Sequence, residues 1–157
     1  MQQPDPQVVT RPIFSETAGW FQKAVPQPGA KNFTTQLGVH FEEVREMVQE
    51  LVGSDQETMN LLVNAEQALH ALAQHLKKNE HSVSINNRVE YLDALCDQIV
   101  TATGCAHMAG MNIVSGLNEV NRSNFSKFDD NGEPIFDDNR KVMKSLNYSK
   151  ADLSPFV

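Results

Sequence analysis

Two groups of carboxylates carry most of the chemistry this chain offers. The first is Glu42-Glu43-Val44-Arg45-Glu46, with Glu50 one helical turn further on. The second is Glu90-Tyr91-Leu92-Asp93, followed by Asp97. Spacings of three and four place Glu90, Asp93 and Asp97 on one side of a helix, where like charges repel and weaken it. A carboxylate withdrawn from water is costly unless something offsets it, and a divalent cation does so. Mg2+ takes oxygen ligands in octahedral geometry and commonly combines carboxylates with substrate phosphates. Four carboxylates from two helices would therefore suit Mg2+ bridging a triphosphate. The competing reading of the first cluster is a solvated face, because Glu43 and Glu46 point away from the Phe41/Val44/Val48 stripe.

The elements that must position these groups read as helices throughout. Ser15 is a candidate N-cap for a short helix to about Ala24, holding Trp20 and Phe21. Pro26, Pro28 and Gly29 then break it. A second helix is expected from about Thr34 to Val52, with Phe33, Leu37, Phe41, Val44, Val48 and Leu51 stepping by three or four. Gly53-Ser54-Asp55 closes it. A third runs from about Gln56 to Lys78, with Leu61, Leu62, Ala65, Ala68, Leu69, Leu72 and Leu76 on one face. A fourth runs from about Asn87 to Ala109 with the stripe Leu92, Leu95, Ile99, Ala102 and Ala106. The face bearing Asp93 and Asp97 continues as Thr101, Gly104 and Met108, so this helix is expected to be covered on both sides. A fifth helix covers about Ile113 to Ser123. No segment shows a sustained period of two.

The fold class is thus all-α, a bundle of four to five helices over 14–128. Residues 1–13 form an N-terminal arm, and a turn-rich tail over 129–157 packs on the domain or on a partner subunit. Asp130-Asn131-Gly132 is a strong turn signal in that tail, with a small hairpin or an extended arm after it.

Composition narrows the function classes. The chain has 157 residues and a formal net charge of −7, which argues against stable nucleic-acid binding. A nucleotide substrate stays open, because a metal supplies positive charge locally. The N-terminus has no basic stretch followed by an apolar one and reads as no signal peptide. From Gln98 to Asn118 there is no Asp, Glu, Lys or Arg. Its polar residues, among them Gln98, His107 and Asn112, fit a helix buried in protein rather than a membrane span. Cys96 and Cys105 lie nine apart in one helix, roughly 13 Å at 1.5 Å per residue, too far for a disulfide. They read as small buried apolar residues in a reducing, cytoplasmic protein. The five histidines form no metal-ligand spacing with one another or with the cysteines.

Glu42-Glu43-x-x-Glu46 on one helix, with Glu90-x-x-Asp93 and Asp97 on a later one, resembles the MazG-like all-α nucleoside triphosphate pyrophosphohydrolases. That family's pattern is Glu-Glu-x-x-Glu followed by Glu-x-x-Asp. Where Asp97 takes the Asp position, Ala94 stands in place of the Glu. The segment from Glu119 to Lys127 is similar to the family's stretch after the metal helix. The tail Lys144-Ser145-Leu146-Asn147-Tyr148 resembles the tail of a phage and bacterial subgroup, without its Gly-Pro. The resemblance covers about 14–153. It implies Mg2+, with Mn2+ as a possible substitute, held by Glu43, Glu46, Asp93 and Asp97, with Glu42 and Glu90 in reserve. It implies attack of water at the α-phosphorus, releasing a monophosphate and pyrophosphate, with Glu43 or Glu46 orienting the water. Lys127 and Lys144 would meet phosphate, Asn121 and Asn124 the base or sugar, Trp20 would stack on the base, and Tyr148 would cover the site. It also implies a homodimer or homotetramer, for which the uncharged 98–118 stretch is the expected surface. The alternative is a non-catalytic helical interaction protein whose acidic surface binds a basic partner.

Overall fold

The computed structural model describes residues 12–138 and 141–157. Among them are five α-helices: α1 (Ile13–Ala24), α2 (Ala30–Gln49), α3 (Gln56–Lys78), α4 (Arg88–Met108) and α5 (Ile113–Phe125). One 3-10 turn follows at Ser154–Phe156. The protein is all-α, and among the described residues the nearest approach to a sheet is one isolated antiparallel bridge, Phe136 with Val142. No helix among the described residues is long and apolar enough to cross a membrane. The arm expected over 1–13 lies outside the described residues except for Pro12, which is the N-cap of α1, and Ile13, its first residue.

The chain divides into two units, 27–91 and the remainder. The first is built on the antiparallel hairpin of α2 and α3. The side chain of Asp55 caps α3 by accepting from the Thr58 backbone N–H at 2.8 Å, which satisfies one of the orphan donors at a helix start. Lys77 and Lys78 sit in its last turn, where the helix dipole favours cations.

The seam between α2 and α3 is rotated from the expected one. On α2 it follows Thr34, Gly38, Phe41, Arg45 and Val48; on α3 it follows Leu62, Glu66, Leu69, Ala73 and Leu76. Both lines step by four and three, the spacing that keeps two helices in register as they wind around each other. Thr34, Ala73 and Leu76 are each 1% exposed. Leu51, Leu61 and Leu72, expected inside, are 53%, 61% and 41% exposed. A Cβ at Gly38 would lie 2.8 Å from the Ala73 carbonyl oxygen, so the backbones come close there. Leu62, Leu69 and Leu76 stay on the seam beside that approach while Leu61 and Leu72 turn outward, and Leu51 lies beyond the end of α2 at Gln49.

The second unit packs α1 on α5 and lays the tail over α5. Asn121 is 2% exposed. Its carbonyl accepts from Thr17 Oγ1 at 3.0 Å and its amide donates to the Ile13 carbonyl at 3.2 Å, so it fastens α1 to α5. Phe128 is buried and stacks on Trp20 with a centroid distance of 6.0 Å, while Phe125 meets it edge-on at 5.7 Å. The tail is held by the Glu119 carboxylate, which takes the Arg122 guanidinium at 2.7 and 2.6 Å and the Asp152 N–H at 3.0 Å. The expected Asp130-Asn131-Gly132 turn is present, with Gly132 at φ 74°, where a side chain would strain the backbone. After it Ile135 and Asp137 pair with Met143 and Lys141 in a short hairpin.

The boundary between the units falls within α4, whose first turn to Tyr91 belongs to the first unit and whose remainder, from Leu92, belongs to the second. In the second unit it packs against no other helix. It has no buried residue. The single chain itself covers neither face of the helix, and Cys96 and Cys105 are free and exposed on it.

Candidate functional site

The carboxylates of α2 have separate fates. Glu42 turns toward α3 and takes a hydrogen bond from Lys77 Nζ, which holds its carboxyl below the usual range. Arg45 reaches Glu66 at 3.1 Å and lies 3.7 Å from Glu46. Gln49 adds a second donor to Glu66 at 3.1 Å. Glu43 is exposed, and its carboxylate meets no donor or cation among the described residues. The i, i+1 offset is the physical reason: neighbouring residues on a helix point about 100° apart. Glu42 therefore faces the hairpin seam and Glu43 faces water.

On α4, Glu90, Asp93 and Asp97 are all exposed. Their side chains likewise have no cation or hydrogen-bond donor among the described residues. Asn87 caps this helix through its side-chain oxygen, which accepts from the Val89 N–H at 3.0 Å. In neither unit do three or more His, Cys, Asp or Glu side chains converge as a metal site among the described residues. Glu43 belongs to the first unit and Asp93 and Asp97 to the second, and none of the three has a Lys or Arg partner among the described residues.

Three of the residues expected at the substrate do come together, in the second unit. Trp20 Nε1 donates to the Asn124 carbonyl at 3.0 Å. Lys127 Nζ donates to Asn124 Oδ1 at 2.7 Å and lies 5.7 Å from the Trp20 ring centroid. The group gathers an aromatic plane, an amide and a cation from α1 and the end of α5. Trp20 is also braced by Phe128 on one side and by Phe21 edge-on at 5.1 Å. Asn121 stands apart from it in role, with its amide engaged by α1. Lys144 and Tyr148 form a separate pair in the tail, the ammonium 4.2 Å from the ring centroid.

A groove that sequence reasoning did not reach lies in the first unit. Its volume is about 470 Å3, and Phe33, Leu37, Ile85, Asn86, Glu90 and Tyr91 are among its lining residues. Phe33 and Tyr91 meet edge-on at 6.3 Å. Their separation in sequence hides this pairing; the one local signal is the connection 79–87, too long for a tight turn between two helices.

No family model matches the chain, and no curated protein or solved structure matches it.

Proposed function

We propose that the protein is a Mg2+-dependent nucleoside triphosphate pyrophosphohydrolase, acting at the α-phosphate to give a monophosphate and pyrophosphate. The observation that carries the reading is the division among its carboxylates. Glu42, Glu66 and Glu119 are neutralised by Lys77, Arg45 and Arg122. Of the four positions that the resemblance marks, Glu43, Asp93 and Asp97 are left without such partners among the described residues, and Glu46 lies 3.7 Å from Arg45. In this reading Glu43, Glu46, Asp93 and Asp97 would hold the cation, which would activate water and neutralise the triphosphate. Mn2+ would substitute. Glu43 or Glu46 would orient the water. Lys127 supplies a point charge for phosphate, and Asn124, already tied to Lys127 and Trp20, places an amide beside it.

The test is pyrophosphate release from a panel of standard and modified nucleoside triphosphates, with Mg2+ and with EDTA. Metal-dependent release with monophosphate as co-product is the expected result. Asp97→Asn is expected to abolish turnover while leaving helix content unchanged, since it removes charge from an exposed face. Full turnover in that variant would sink the assignment.

A second reading has its own support. Asp93 and Asp97 are exposed rather than buried, as an acidic surface that docks a basic protein would require. Silence across the whole panel from well-folded protein would favour it.

A further inference from the structure

The groove of the first unit has three walls. Phe33 and Leu37, one turn apart on α2, form one; residues 83–87 of the connection form the second; Glu90 and Tyr91, in the first turn of α4, form the third. All of these residues lie within 27–91. The volume of about 470 Å3 falls within the range of roughly 300–1,000 Å3 usual for small-molecule sites. Phe33, Leu37, Val83, Ile85 and Tyr91 supply its apolar surface. The Phe33 and Tyr91 rings are set edge-on at 6.3 Å, so two walls are fixed against each other.

The lining carries a single charged residue, Glu90. Asn87 caps α4 through its side-chain oxygen, which accepts from the Val89 N–H at 3.0 Å. Asn87-x-x-Glu90 has the spacing of a capping box, in which the glutamate would bond back to the backbone N–H of the cap. Glu90 makes no such bond, and it forms no ion pair among the described residues. Arg88, the nearest cation in the chain, is not part of the lining. The Ser84 hydroxyl and the Asn86 amide also bond to no other described residue. The groove thus joins an apolar floor to a carboxylate, an amide and a hydroxyl whose acceptor oxygens are unused.

These features select the charge of a ligand. A phosphate or carboxylate would meet Glu90 as a like charge. A neutral apolar molecule would fill the floor and desolvate Glu90 without answering it. An ammonium on a short apolar body does both tasks. Its three N–H donors match the acceptors of Glu90, Asn86 and Ser84, and the bond to the carboxylate is charge-assisted. The aromatic rings attract a cation as well, and the apolar body covers Leu37 and Ile85.

We propose that this groove binds a small primary amine, with the ammonium on Glu90 and the apolar body between Phe33, Ile85 and Tyr91. The inference does not rest on the catalytic reading, and its test does not use turnover. The probe is phenethylamine, with phenethyl alcohol as its neutral counterpart and hydrocinnamate as its anionic one. Each is titrated into the full chain and followed by backbone amide chemical shifts. Phenethylamine is expected to give saturable shifts gathered at 83–87 and at Glu90 and Tyr91. The alcohol should bind about tenfold more weakly, the scale of one charge-assisted hydrogen bond, and hydrocinnamate should not bind. Glu90→Gln keeps the size of an exposed side chain and removes its charge. It should bring the amine down to the affinity of the alcohol and leave the alcohol unchanged. Equal affinity of amine and alcohol for the parent chain, binding of hydrocinnamate, or shifts centred outside the groove would each overturn the proposal. So would a preference for the amine that survives Glu90→Gln. A lysine-bearing peptide that binds where the free amine does not would overturn it too, and would give the groove to a protein partner.

Discussion

Gly38→Ala is the sharpest probe of how the α2–α3 hairpin is held. The added Cβ would sit 2.8 Å from the Ala73 carbonyl oxygen, 2.8 Å from Lys77 Cγ and 3.2 Å from Lys77 N. The lysine stem can swing aside, although it carries the cation that pairs with Glu42. The carbonyl and amide belong to the backbone of α3 and move only with the helix. Ordinary contact begins at 3.4 Å, so the two helices must part by about 0.6 Å. Overpacking of this kind costs roughly 1–3 kcal/mol. Against it, alanine is favoured over glycine within a helix by about 0.8–1.0 kcal/mol. The net expectation is a loss of roughly 1 kcal/mol. Gly19→Ala in α1 supplies the reference, because a Cβ there meets nothing within 4 Å; it should gain the propensity term alone, about 0.8–1.0 kcal/mol. Urea unfolding followed by circular dichroism, at one fixed protein concentration, measures both. A Gly38→Ala protein as stabilised as Gly19→Ala would refute the close approach at Ala73.

Three further outcomes follow from the geometry. Asn121→Leu removes the two bonds that tie α5 to Thr17 and Ile13, and is expected to cost about 2 kcal/mol; unchanged thermal stability with lost turnover would return Asn121 to the substrate. Lys77→Met should raise the Glu42 carboxyl toward its ordinary value, because the bond from Lys77 is the main cause of its lowered pKa; a carboxyl titration by NMR that did not move would deny the pairing. Glu119 is held down to about 2 from 4.5, first by Arg122 and then by the Asp152 N–H. A depressed carboxyl stabilises above its unfolded value and loses that contribution as pH falls. The tail anchor should therefore persist above 4.5 and weaken between 4.5 and about 2. The Asp152 amide shift should titrate with a midpoint near the lower value, and a midpoint near the upper one would contradict the anchor.

Much of the local structure was legible in the residues. The start of α3 follows from Gly53-Ser54-Asp55 and its end from the paired lysines; the turn at Asp130-Asn131-Gly132 follows from residues that tolerate its backbone. These are short-range effects, decided by capping, propensity and φ within a few residues. Which face of α2 packs, which glutamate beside it is neutralised, and which residues meet Trp20 are decided by partners far along the chain. Apolar periodicity alone put Leu51, Leu61 and Leu72 inside. Leu51 falls past the end of α2, and the close approach at Gly38 goes with a seam that leaves Leu61 and Leu72 outside, because a missing side chain sets where two backbones can come nearest and counts for nothing in a hydrophobic pattern. The stripe of α4 was equally plain in sequence, but its exposure was not. Periodicity states that a face needs cover, while only the tertiary arrangement states whether the same unit supplies it.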